Sequence, residues 1–231
     1  MAGATLLEPR QAYSLWSSSY PPRAHNPVMR AEERAMLALV PAALHGQAIL
    51  DAGCGSGRYL LHALGRGAAH AIGVDLSPQM LAQARAALPP SAGDATTLVQ
   101  GSLAALPVAD GCADLVLCGL VVGHVDDLAR ALAELARATR VGGIVLCSDV
   151  HPIGDALGWV RDFRHDGRRY AVRHVRHLYS HWHAACTGAG LAIEQVREPM
   201  LDPADIPPGA RFDHAALEVP VALVLQLRRV R

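Results

Sequence analysis

Lysine is missing from all 231 residues; every one of the 21 positive side chains is arginine. No lysine amine is therefore at hand for a Schiff base or for proton abstraction. Twenty-one Asp and Glu residues balance the arginines, so the chain lacks the basic excess that nucleic-acid binding leaves. Cysteine is sparse, odd in number (Cys54, Cys112, Cys118, Cys147, Cys186) and without a CxxC pair, which argues against disulfides and against a zinc site. No apolar run approaches the roughly 20 residues of a membrane span; Val219 to Leu225 is among the longest. The start of the chain, with Glu8, Pro9 and Arg10 soon after a short apolar patch, has none of the three parts of a secretory signal. These absences predict a cytoplasmic chain with no membrane and no nucleic-acid partner. They do not set an oligomeric state.

The residues present describe an alternation. Short apolar runs at Gln47 to Asp51, His70 to Leu76, Thr96 to Gly101, Ala113 to Gly119, Gly142 to Val150, Leu191 to Arg197 and Val219 to Val230 read as strands, mostly separated by helical patterns such as Asp126 to Thr139. Ser77-Pro78 marks a helix start, with the serine as cap and the proline in the first turn. Such alternation predicts an α/β fold, a Rossmann-like parallel sheet with helices on both faces. A single domain over 1–231 is expected, with 47–150 as a cofactor-binding half and 183–231 completing the sheet. Residues 1–46 and 151–182 stand apart. They hold most of the aromatic residues, and they are expected to cap the C-terminal strand ends, where open α/β sheets bind ligands.

The strongest local signal is Ile49 to Arg58, ILDAGCGSGR. Gly53, Gly55 and Gly57 let a turn form tightly and let a ligand approach the main chain beside a helix N-terminus, which implies a nucleotide-like ligand. The dinucleotide spacing GxGxxG fails, because the last glycine would fall on Arg58 or Leu60. Asp51, just before the turn, would repel a pyrophosphate but suits a ligand with an ammonium group. Asp75 closes the next strand, where a carboxylate accepts hydrogen bonds from two ribose hydroxyls.

With these residues in place, the chain resembles the class I S-adenosylmethionine-dependent methyltransferases, in particular the type 11 group that includes ubiquinone- and menaquinone-pathway enzymes. The resemblance covers the glycine turn, Gly73 to Leu81, Gly101 to Gly119 and Glu134 to Asp149, in order. It implies a seven-stranded sheet with an antiparallel last strand, and S-adenosyl-L-methionine as cofactor. It also implies roles: Asp51 and the glycines near the methionine part, Asp75 on the ribose, Leu76 and Met80 against adenine, Ser102 and Leu103 at the adenine edge, and Cys118 with Gly119 bordering the cofactor. Tyr13, Trp16 and Tyr20 resemble the family's N-terminal segment that closes over the cofactor, with Tyr13 and Tyr20 as contacts; packing on a helix face is the other reading. Two positions depart from the family, Ser102 where an aspartate is usual and Val141 where a proline is usual.

The implied reaction is methyl transfer to an oxygen or nitrogen of a small-molecule acceptor, aromatic or anionic in keeping with the composition of 151–182. His124 and His151 follow the fourth and fifth strands and are the candidate bases. Trp159 and Phe163, four apart, would wall a planar acceptor if that part is helical. Arg164 or Arg168, from a run that includes Arg161, would hold an anionic group, and His174 and His177 would contact substrate. Histidine spacing alone does not make a metal site there, since no acid or cysteine completes a ligand set. A non-catalytic S-adenosylmethionine-binding module and a nicotinamide-dependent oxidoreductase are the alternatives.

Overall fold

A computed structural model describes residues 4–206 and 214–231. The chain begins with β1 (Thr5–Leu7), α1 (Pro9–Trp16) and α2 (Pro27–Leu37), and then enters the main sheet. Strands β2 (Ala48–Ala52), β3 (His70–Asp75), β4 (Thr96–Gln100), β5 (Ala113–Gly119) and β6 (Thr139–Val150) run parallel. Strand β10 (Ala222–Arg229) lies between β6 and β9 (Leu191–Arg197), antiparallel to both, and the order is β4-β3-β2-β5-β6-β10-β9. The sheet is thus the Rossmann-like, seven-stranded one with an antiparallel last strand.

Strand alternation sorts the core into two layers. Leu50, Val116, Val145 and Leu225 face Leu128, Leu132 and Leu135 of α5 (Leu128–Ala138) and Trp182 of α7 (Tyr179–Ala189). Ile49, Leu115, Leu117, Leu146 and Val224 face Met36 of α2 and Tyr59 and Ala63 of α3 (Arg58–Gly65). Each fully buried leucine contributes about 1.5–3 kcal/mol. Helix α4 (Pro78–Ala87), packed against β3 and β4, begins as its sequence predicts, with the Ser77 hydroxyl accepting from the Met80 amide. Strand β6 begins three residues earlier than predicted. A bulge at Arg140–Gly143, with Gly142 at φ 78°, lets Thr139 pair with Ala113 before the regular register resumes at Ile144. Val141 sits exposed on that bulge.

A second sheet forms at the strand ends. The insertion after β6 contains α6 (Pro152–Ala156) and a hairpin, β7 (Asp162–His165) and β8 (Arg168–Val172), and β1 adds to β8 in parallel. The hairpin closes on Asp166-Gly167, at φ 48° and 74°, the Asp-Gly turn whose backbone matches strand twist. Leu7, Ala12, Phe163 and Val172 make its small core, with Trp16 stacked on Phe163 at 4.7 Å.

This hairpin changes two expectations. Trp159 and Phe163 share no helical face: Phe163 sits in the small core, while Trp159 packs with Ala31, Leu201 and Val221. The segments 1–46 and 151–182 are also mixed in role, because α2 covers a face of the main sheet and Trp182 is buried in its largest core cluster.

One charged pair crosses the packing. Glu32, fully buried on α2, accepts from both terminal nitrogens of Arg58 at 3.0 Å, from the Tyr59 hydroxyl at 2.7 Å and from the Ser148 hydroxyl at 2.6 Å. All four lone-pair positions of the carboxylate are used, which offsets its desolvation. Glu32→Ala leaves Arg58 buried beside Glu33 alone, so urea unfolding is expected to show a loss of about 3–5 kcal/mol, the usual cost of breaking a buried pair. Unchanged stability would show that the network is dispensable.

Candidate active site

The glycine turn is pinned by its neighbouring strand. The amides of Gly53 and Cys54 donate to the Val74 carbonyl at 2.7 and 2.9 Å, and the amide of Gly55 donates to Asp75 Oδ2 at 2.8 Å. Asp75 Oδ1 accepts from the Ser77 amide at 2.8 Å, so one carboxylate fixes both the turn and the start of α4. Burial holds Asp75 above the usual carboxylate range despite these amides. Gly53 must be glycine twice over: φ is 81°, and a Cβ would stand 2.5 Å from Val121 Cγ2. At Gly55, φ is 53° and a Cβ would meet nothing within 4 Å, so the backbone lies bare to the cleft.

That cleft encloses about 880 Å³ including its open mouth. Its walls bring together Tyr13, Tyr20, Gly53, Gly55, Asp75, Leu76, Met80, Ser102, Leu103, Gly119 and His124. Ser102 Oγ accepts from the Ala104 amide at 3.2 Å, which leaves its hydroxyl proton free to donate.

Asp51 lies beneath the turn, 1% exposed, with Oδ2 lacking any partner. Desolvation pushes its carboxyl up to about 7, against the opposing pull of Arg58. An orphaned buried acceptor under a bare glycine backbone fits the ammonium end of an amino-acid-bearing nucleoside, and Asp75 with Leu76 and Met80 fits its other end. The residues present therefore fit S-adenosylmethionine.

On the far wall three polar groups interlock. His124 Nδ1 is 3.0 Å from the Arg173 carbonyl, so it carries the proton and donates. Its Nε2 accepts from the Tyr13 hydroxyl at 2.9 Å, with Arg161 Nη1 at 3.2 Å, and Arg161 donates to Tyr13 Oη at 2.6 Å. Burial first, then Arg161, pushes His124 down to about 3. Burial raises Tyr13 to about 12. His124 is in the cleft, but its lone pair is already engaged.

Several expected residues do not line the cleft. His151 caps α6, accepting from the Ile153 amide at 3.2 Å, and turns Nε2 to Glu198, so it has no access as a base. Cys118 points into the core beneath the sheet, because strand parity leaves Gly119 alone at the cleft. Gly57 starts α3 where a Cβ would crowd Ala84. Arg164 and Arg168 are exposed on the hairpin. His174 pairs with Asp149 at 3.2 Å, and His177 donates to the Val125 carbonyl at 3.1 Å, so these two face different partners. The cleft adds residues that sequence reasoning assigned no role: Arg10, Arg58, Leu120, Val121, Val125 and Arg161. Arg58 ends the glycine motif, and Arg161 belongs to an arginine run with no spacing to single it out.

Residues 50–147 match the model of a methyltransferase domain. An S-adenosylmethionine-dependent methyltransferase from Mesorhizobium loti, solved by crystallography, superposes with a TM-score of 0.70 at 30% identity, covering 86% of this chain and 98% of that one. The chain belongs to the S-adenosylmethionine-dependent methyltransferases. Membership sets aside the nicotinamide alternative and makes S-adenosylmethionine the cofactor. Among relatives of this methyltransferase, malonyl-[acyl-carrier protein] O-methyltransferase of Pectobacterium atrosepticum is 38% identical over 118 residues, 51% of this chain and 44% of that protein. Demethylmenaquinone methyltransferase of Roseiflexus castenholzii is 38% identical over 102 residues, 44% of this chain and 42% of its own. The chain spans about half the length of the curated relatives it matches.

Asp51 gives this methyltransferase a testable pH signature. Its carboxyl titrates near 7 when folded and near 4 when unfolded, so between those values the folded state holds the extra proton. Stability from this group therefore falls as pH rises from about 4 to 7. Asp51→Asn is expected to gain on the wild type across that window, by up to about 4 kcal/mol, in urea unfolding. Parallel stability curves for the two proteins would rule the buried titration out.

Proposed function

We propose that the protein transfers the methyl group of S-adenosylmethionine to an oxygen or nitrogen of a small-molecule acceptor held in the same cleft. The observation that carries this reading is the juxtaposition of the Asp75-pinned glycine turn with a second, chemically different wall made by Tyr13, His124 and Arg161. The bound cofactor supplies an electrophilic methyl on a cationic sulfur. Asp75 would accept from the ribose hydroxyls, Leu76 and Met80 would cover the adenine, Ser102 and Leu103 would meet its edge, and Asp51 would face the ammonium.

The protein's task in such a displacement is to position two reactants and exclude water, a source of several kcal/mol without a dedicated acid or base. Tyr13 and Tyr20 on the N-terminal segment, tied to the glycine turn by the Ser56 hydroxyl on the Pro21 carbonyl at 3.0 Å, would close the cleft from above. The O-methyltransferase name of the Pectobacterium relative supports an oxygen acceptor, and the chain's neutral balance supports a small molecule over nucleic acid.

Calorimetry with S-adenosylhomocysteine is the first test. Binding is expected, and Asp75→Ala should weaken it by about 1.5–3 kcal/mol while the protein stays folded by circular dichroism. Gly53→Ala should weaken it too, through Val121. A methyl-transfer screen over small metabolites then separates an enzyme from a non-catalytic binding module, which would bind the cofactor and transfer nothing.

A further inference from the structure

The three arginines of the cleft keep different company. Arg58 is neutralised by Glu32 and Glu33, and Arg10 is exposed at the rim. Arg161 is half-buried and meets only uncharged acceptors: the Tyr13 hydroxyl, His124 Nε2 and, at 3.3 Å, the Leu120 carbonyl, all through Nη1. Among the described residues no carboxylate forms an ion pair with it. Asp149, whose charge reaches it, is engaged by His174 and by the Val150 amide. The N–H groups on Nε and Nη2 have no protein acceptor among the described residues. A partly desolvated guanidinium with free donors and no counterion calls for an anion.

The position of Arg161 in the fold says which anion. Asp75 ends β3 and the glycine turn ends β2, whereas Leu120 and His124 follow β5 and Arg161 comes from the insertion after β6. At about 4.8 Å per strand, the end of β5 lies about 10 Å across the sheet from the end of β3 that carries Asp75, and Arg161 Nη1 stands on the β5 side, 3.3 Å from the Leu120 carbonyl. The backbone there is built to hold it. Leu120 has φ 59°, unusual for a branched side chain, and is fixed in that conformation by its amide on Ser148 O and Oγ and by its carbonyl on Arg161.

We propose that Arg161, presented with Tyr13, is the seat for a carboxylate of the methyl acceptor, so that the acceptor is a small carboxylic acid. This rests on the methyl-transfer reading above. The same wall offers no vacant base, since both nitrogens of His124 are engaged and the Tyr13 hydroxyl donates to one of them. A carboxylate needs none. One of its oxygens stays on the guanidinium while the other attacks the methyl carbon. Its lone pair forms the new C–O bond, and the C–S pair departs with the sulfur. The negative charge of the carboxylate and the positive charge of the sulfonium disappear together, giving a methyl ester and S-adenosylhomocysteine with no proton moved. The ester has lost the charge that Arg161 held, which favours its release.

The test is calorimetry on wild type, Arg161→Met and Arg161→Lys, first with S-adenosylhomocysteine and then, on the loaded protein, with benzoate against benzamide and hexanoate against hexanamide. Wild type should bind each carboxylate at least about tenfold more tightly than its amide, as a charged hydrogen-bonded pair gives. Arg161→Met should abolish that preference, Arg161→Lys should restore part of it, and cofactor-product affinity should stay within about twofold in all three. Equal binding of acids and amides by wild type overturns the proposal. So does a tenfold loss of S-adenosylhomocysteine affinity in Arg161→Met, which would assign the guanidinium to the cofactor's own carboxylate. A wild-type protein that binds no S-adenosylhomocysteine removes the methyl-transfer reading itself, an outcome separate from these two.

Discussion

The carboxylate of Glu32 is the constraint on which the site rests. It ties α2 to α3 through Arg58 and Tyr59 and to β6 through Ser148, whose hydroxyl in turn receives the Leu120 amide at 3.1 Å. One buried charge thereby sets the height of the glycine helix against the sheet and the path of the chain leaving β5. The close fit of this network also explains Gly119, where a Cβ would lie 2.3 Å from Tyr59 Cε2 and 3.1 Å from Glu32 Oε1. A buried ion pair is poor currency for stability but a good means of fixing one arrangement, provided every lone pair is satisfied. Here all are.

Around that fixed floor the cleft is assembled from distant parts of the chain. The cofactor side comes from the ends of β2, β3 and β4, within about fifty residues. The opposite side joins Tyr13 of α1, His124 after β5 and Arg161 from the insertion, and the pairing of β1 with β8 helps to bring them together. The two sides also differ chemically. One is backbone and carboxylate; the other is aromatic, imidazole and guanidinium.

Their legibility in the sequence differs for the same reason. Local backbone rules announce the glycine turn, the Ser77 cap and Asp75 at a strand end, because each depends on neighbours within a few residues. A strand at β10 follows from the apolar pattern, and its antiparallel direction is what the family resemblance implies. Strand parity separates Cys118 from Gly119, and Pro152 after His151 marks that histidine as a helix cap; in the sequence both signals compete with proximity to strand ends. The Asp-Gly pair in FRHDGRRY announces a hairpin and competes with the helical spacing of Trp159 and Phe163. Arg161 had no local signal. Its selection over Arg164 and Arg168 depends on which way a short strand enters the cap, and the Glu32–Arg58 pairing spans 26 residues of unrelated pattern.

The parallel pairing of β1 with β8 orders events in time. Leu7 finds Val172 across some 165 residues of chain, and among the described residues β1 pairs with no strand but β8. During synthesis the first strand must wait until β8 has left the ribosome, while the sheet from β2 to β6 has all its strands earlier. Contacts of such long sequence separation are slow to form, because loop closure precedes their reward. The nascent chain therefore acquires a nucleotide-binding floor before it acquires the aromatic roof, and a small-molecule ligand met early would bind an open groove that the amino-terminal segment later covers.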